Sequence, residues 1–202
     1  MLISTFELLV KPQLPSIKIL QEINPSLSSS QLEFLGGLSR TVIQGYFLTI
    51  ANPSHKEISL SIVYTLKPQL PIDFEQLITF LDSAGNQQDT SANLISLGDD
   101  KYSIPALKLQ PRETILLILQ PNFVSFPNLT ADENFEARGY AEIFLGLNTP
   151  SDQNTSVLVT PEHRGTFYAD NPNQTLSAPV SLGEISYSLP VQNGGLLNLS
   201  KH

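Results

Sequence analysis

At 202 residues, 41% hydrophobic and 15% charged, the chain is neither disordered nor a highly charged surface binder. It is long enough to bury one large β domain, or one domain with an appended arm. Nineteen acidic against eleven basic residues leave a net charge of −8 with no basic cluster, which repels phosphate backbones and argues against nucleic acid. The absence of cysteine excludes disulfide scaffolds, thiolate metal sites and cysteine nucleophiles.

The opening run MLISTFELLVKPQLP is apolar but lacks a basic start and a small-residue cleavage site, and Glu7 interrupts it. No stretch approaches the roughly 20 apolar residues that span a bilayer. A soluble protein is expected, its location unassigned, with the cytoplasm favoured by the lack of a signal. Leu2 to Val10 predicts a first strand, broken over Lys11 to Pro15 because Pro12 and Pro15 cannot donate to a ladder. Ile17 to Ile23 reads as a further short strand or an edge segment. Ser26 to Leu35 can start a short helix that Gly36 and Gly37 end.

The most informative stretch is Arg40 to Leu66. Ile58, Leu60, Ile62 and Tyr64 alternate with Ser59, Ser61 and Thr65, the period of a strand with one buried face. Before them, Val42, Tyr46, Leu48 and Ile50 share one face while Ile43 and Phe47 load the other, as in a strand covered on both sides. Asn52, Pro53 and Ser54 favour turning, so the unit is expected to be a hairpin. This turn between a buried and an alternating strand resembles those of bacterial immunoglobulin-like modules over the central third of the chain, with no motif that assigns residue roles.

Further along, Glu75 to Leu81 predicts a strand, with Gly85 and Asn86 supplying positive φ in the return, and Ala92 to Leu97 comes back. Gly98, Asp99 and Asp100 turn again into Tyr102 to Leu109, where Pro105 marks an edge or bulge. TILLILQ is a buried strand. Pro121 to Asn134 has no period and reads as a functional loop carrying Phe123 and Phe126. Phe135 to Leu145 is a long half-exposed strand, Ser156 to Thr160 begins the return, and Arg164 to Tyr168 closes the core. The fold expected is all-β: an antiparallel β-sandwich, immunoglobulin-like or a related Greek key. Residues 1–168 would form the domain, with its core at about 38–168. Residues 169–202 would form an extended C-terminal arm lying on the domain or on a neighbouring subunit.

Glu162, His163 and Arg164, with Tyr168 close behind, form the only compact polar cluster, suited to binding an anion or shuttling a proton. The plainer expectation is an exposed turn after Pro161. Glu136, Arg138 and Glu142 share one strand face, either selecting a polar ligand or forming a solvated ion-pair ladder. Two carboxylates six residues apart on one strand are too far apart for glycosidase work without a third group. There is no G-x-S-x-G, and two internal histidines without ligand spacing argue against zinc, so no catalytic residue, metal or cofactor is assigned. Tyr140 and Tyr168 are the candidate carbohydrate platforms in a chain without tryptophan. The first reading is therefore a non-enzymatic binding or assembly module contacting protein partners or itself. The second is a small hydrolase or a ligand- or carbohydrate-binding protein with its site near Arg138, His163, Arg164 and Tyr168.

Overall fold

The computed structural model describes residues 1–12, 17–38, 40–68, 74–122, 125, 135–146, 155–169 and 181–200. The described chain is mostly antiparallel strand, as the alternating patterns require, and it forms one sheet curled into a half barrel. In chain order the strands are β1 (Leu2–Pro12), β2 (Arg40–Ala51), β3 (Ile58–Pro68), β4 (Leu77–Ser83), β5 (Asn86–Asp89) and β6 (Ile95–Gly98). They continue with β7 (Lys101–Leu109), β8 (Thr114–Pro121), β9 (Phe135–Leu145), β10 (Thr155–Ala169), β11 (Ser181–Ser188) and β12 (Leu196–Leu199). Two helices, α1 (Ile17–Ile23) and α2 (Ser29–Leu38), lie between β1 and β2. Neither is long and apolar enough to cross a membrane.

The sheet is organised by a fork along β2. One edge of β2 pairs with β10 over its whole length, from Arg40 opposite Ala169 to Ala51 opposite Leu158. The other edge is shared: residues 41–44 pair with β1, and residues 46–51 pair with β8. Gly45 sits where the partner changes. A Cβ there would lie 3.1 Å from both the Gln120 Cβ and the Leu119 carbonyl oxygen, closer than side chains comfortably approach. From the fork one arm runs β1, β9, β3, β7, β6 and the other runs β8, β4, β5. Their inward residues meet in a single core that includes Leu8, Tyr46, Leu48, Leu60, Ile62, Tyr64, Leu117 and Ile143.

The expected hairpin is therefore corrected. β2 and β3 do not pair; β3 lies between β7 and β9 in the other arm. The turn makes an arch, stacking the two strands through side chains rather than joining them through backbone. Buried Asn52 holds it, its Nδ2 donating to the carbonyls of Lys56 (2.8 Å), Gln110 (2.9 Å) and Leu109 (3.3 Å) while its Oδ1 accepts from the Ser54 amide (3.0 Å). The same turn-forming residues serve either connection, and only the partners available to each edge decide between them.

Other differences have local causes. Ile17 to Ile23 is a helix, not a strand. The helical hydrogen-bond pattern runs on past its end, as in the bond from the Asn24 amide to the Leu20 carbonyl (3.0 Å). α2 runs through Gly36 and Gly37, since a glycine costs only about 1 kcal/mol in a helix. Its start is secured by a capping box: the Ser28 amide donates to Gln31 Oε1 (2.9 Å) and the Gln31 amide to Ser28 Oγ (3.3 Å). The return after β4 begins earlier than expected, in β5, through a turn with positive φ at Ala84 and Gly85. Pro105 marks a bulge in β7, where residues 105 and 106 stand against Ser61 alone and Ala106 has φ of 55°. Phe123 and Phe126, with most of the Pro121 to Asn134 loop, lie outside the described residues.

At the centre of the core Phe6 stacks on Tyr46 (ring centroids 4.6 Å) and meets Tyr64 edge-on (5.8 Å). The two tyrosines differ at their tips. Tyr46 Oη shares a hydrogen bond with buried Ser4 Oγ (2.9 Å), whereas among the described residues the Tyr64 hydroxyl has no partner. Burial holds both phenols well above their ordinary pKa. Tyr46→Phe is expected to cost about 1–2 kcal/mol, because it strands a buried hydroxyl on Ser4. Tyr64→Phe should leave stability unchanged or raise it by up to about 1 kcal/mol, since it removes an unpaired polar group and keeps the ring. Urea unfolding midpoints at constant slope distinguish the two.

Candidate functional site

Glu162, His163 and Arg164 lie not in a turn but inside β10, a 15-residue strand whose residues alternate between buried and exposed along 155–165. Pro161 stands within it, opposite Leu48. The alternation splits the cluster: His163 faces inward at 5% exposure, opposite Tyr46, while Glu162 and Arg164 face outward.

His163 closes the fork. β1 leaves β2 after the pair Leu9–Gln44, so Glu7, which would next oppose Tyr46, has a backbone amide and carbonyl with no ladder partner on that side. Two side chains take their place. The Glu7 amide donates to His163 Nε2 (2.9 Å), and Gln44 Nε2 donates to the Glu7 carbonyl (3.1 Å). An amide can only donate, so Nε2 is unprotonated and Nδ1 carries the hydrogen. Nδ1–H then donates to Tyr187 Oη (2.8 Å) on β11, and the Tyr187 hydroxyl donates to Gln44 Oε1 at a long 3.4 Å, closing a ring of four residues. The His163 and Tyr187 rings pack edge to face, 5.2 Å apart. Burial pushes His163 below its ordinary pKa, with the nearby Glu7 carboxylate opposing it, and burial raises Tyr187.

Arg138 reaches this network through Glu7. Arg138 lies opposite Glu7 in the β1–β9 ladder and its Nε donates to Glu7 Oε1 (2.8 Å). The guanidinium also pairs with Glu136, which accepts from Lys11 Nζ (3.0 Å), giving a four-charge ladder over β1 and β9. The hydrogen bond it donates to Glu7, and then the charge of Glu136, raise the Arg138 pKa. Half-buried Tyr140 stands on the same strand opposite Thr5 and Thr65, with Glu142 opposite Leu2 and Val63.

On the outer face of β10 the Arg164 guanidinium lies 4.7 Å over the Phe47 ring. It is held there by Glu162, with Nη2 and Nε at 2.9 and 3.0 Å from one carboxylate oxygen. A shallow depression of about 350 Å³ opens beside it, lined by Phe47, Arg164, Gly165, Thr166, Glu184 and Ser186 among others. Tyr168 pairs with Thr41 and with Ser181, and its side chain lies outside the described residues. Among the described side chains, the residues singled out from the sequence thus do not converge on one pocket. His163 and Arg164 occupy opposite faces of one strand, and Arg138 meets His163 only through Glu7. Glu7, Gln44 and Tyr187 complete the network and were not singled out. Their only sequence signals are a lone charge among apolar residues in the first strand and a glutamine in phase with Val42 and Tyr46.

β11 forms the margin of this site. It pairs with β10 alone, and among the described residues no strand pairs with its outer edge. The Leu189 amide donates to the Pro161 carbonyl (2.8 Å), which marks Pro161–Leu189 as a hydrogen-bonded pair of the ladder. By antiparallel alternation the Tyr187 and Ile185 backbones also turn toward β10, and Glu184, Ser186 and Ser188 turn their amides and carbonyls outward. Ile185 and Tyr187, at 45% and 44% exposure, flank this bare ladder. Three other strands have a single partner among the described residues, namely β5, β6 and β12, and each has only four residues. No family model matches the chain, and no curated protein matches it.

Proposed function

We propose that the protein is a non-enzymatic binding or assembly module whose docking element is the free edge of β11. The observation that carries this is an eight-residue edge strand, SLGEISYS, that lacks the lysines and prolines with which edges are ordinarily blunted. A strand added there gains main-chain hydrogen bonds at Glu184, Ser186 and Ser188, and the depression by Arg164 and Glu184 receives its alternate side chains. The β10–β11 network supports the same reading. Both His163 nitrogens are engaged and the Arg164 guanidinium is held by Glu162 and Phe47, which favours a framework over the hydrolase alternative. The curled sheet is read as a sandwich of immunoglobulin-like or related Greek-key type, with residues 169–202 as its C-terminal arm. A core shared by two arms of one sheet is what such a sandwich needs.

Selection of extended peptides from a displayed library on the wild-type chain and on Ser186→Pro tests the reading. The Ser186 amide points away from β10, so proline there removes an outward donor and leaves the β10 ladder intact. The wild type is expected to enrich strand-forming peptides that Ser186→Pro fails to hold. Equal enrichment on both, or none on the wild type, would overturn it.

A further inference from the structure

We propose that the strand received by β11 is the β11 of a second copy of this chain, antiparallel about a two-fold axis through Ser186. The proposal rests on the docking-edge reading above and adds the occupant and its register. An isologous contact requires the patch to be complementary to itself. Centred on Ser186, the pairing sets Ser186 against its own copy and Glu184 against the copy's Ser188. All three outward-facing residues of each strand then hydrogen-bond. On the other face Ile185 falls opposite Tyr187 of the copy, and Tyr187 opposite Ile185, in non-hydrogen-bonded positions where side chains approach most closely. Two half-exposed apolar side chains per chain thus cover each other as β-branched–aromatic pairs.

Charge agrees with this register. Glu184, the one charged residue of β11, meets a hydroxyl rather than its own copy, although each chain carries −8 overall. Centring one residue earlier, on Ile185, sets Tyr187 against Gly183 and leaves the Ser188 amide and carbonyl opposite the irregular start of β11, so two apolar pairs are lost. The contact is a short ribbon at the small end of specific interfaces, so the dimer is weak and concentration-dependent. Raising the salt concentration strengthens it by screening the like net charges.

The native chain has no cysteine, so single-cysteine variants report the register directly. In Ser186→Cys the two Cα atoms face each other at about 5.5 Å, within disulfide reach, and mild oxidation should give a covalent dimer in high yield. In Glu184→Cys the equivalent atoms are offset by four residues, roughly 14 Å along the strand, so this variant alone should give no covalent dimer. Mixed with Ser188→Cys, it should crosslink. Ile185→Ser should weaken the wild-type dimer in sedimentation by about two- to thirtyfold, as two symmetric pairs are lost. A Ser186→Cys chain that remains uncrosslinked, beside a wild type that sediments as a monomer at every concentration, would overturn the second-copy proposal. If the wild type still enriched strand peptides that Ser186→Pro loses, the docking edge would survive that result. If it enriched none, both would fall.

Discussion

Replacing His163 by alanine is expected to lower the unfolding free energy by about 2–3 kcal/mol. The change removes the acceptor of the part-buried Glu7 amide, and an unpaired group of that kind costs about 1–3 kcal/mol. It also leaves a void beside Tyr187, which loses the partner that ties β11 to the fork. Amide exchange across 183–188 should therefore quicken more than the global change in stability accounts for. The same residue makes stability depend on pH with a definite sign. Burial depresses the folded-state pKa of His163, so as pH falls the unfolded chain takes up the proton before the folded chain does. His163 thus contributes fully above its unfolded value of about 6.5, and the contribution is lost as pH falls through the depressed folded value. The physical event is the loss of Nε2 as an acceptor: imidazolium donates from both nitrogens and cannot hold the Glu7 amide. Between about pH 7 and pH 5 the wild type should lose stability more steeply than His163→Gln, which titrates nowhere in that range. Glu7, His55 and the other titrating groups are common to both chains. Parallel stability profiles for the two would show that the imidazole is not held in its neutral form.

Gly139→Ala is expected to cost about 3–5 kcal/mol or to abolish soluble expression. β9 runs between β1 and β3, and Gly139 stands opposite both Phe6 and Leu66. A methyl group there is driven into the Thr65 main-chain carbonyl of β3. A flexible side chain could swing aside, but this carbonyl belongs to the backbone of the neighbouring strand and cannot move without opening the β3–β9 ladder. The matched control is Gly183→Ala on β11, where a Cβ meets nothing within 4 Å and stability should change by less than about 0.5 kcal/mol. Wild-type midpoints for both variants would mean that the β3–β9 contact yields more easily than a packed sheet allows.

How far the fold was legible depends on the range of the interaction that decides each element. β8 and β9 were readable because burial is written into the residues themselves, with Ile115 to Leu119 apolar throughout and Phe135, Ala137, Ala141 and Ile143 falling on one side. Among the turns with positive φ, those after β4 and after β6 were marked by Gly85 and Gly98, whereas the β7–β8 turn at Arg112 carries no glycine. α1 was not readable, because the apolar residues of IKILQEI satisfy both periods and no capping residue or breaker inside the segment decides between them. The candidate site was legible only as residue types. Glu162, His163 and Arg164 looked like one cluster because they are adjacent in sequence, yet a strand sends neighbours to opposite faces.

What the amino-acid sequence determined by itself is the all-β character, the places where strands begin and end in the strongly patterned segments β8 and β9, and the absence of thiol chemistry. These follow from local stereochemistry and from which side chains leave water. Pairing was decided by the tertiary structure. β2 is flanked by β10, β1 and β8 rather than by β3, and Asn52 turns an arch rather than a hairpin. His163 serves as the missing rung of a ladder that divides at Gly45. Each of these depends on which free backbone edge another part of the chain brings within about 3 Å, and hydrogen bonds between residues as distant in sequence as Glu7 and His163 leave no periodic trace.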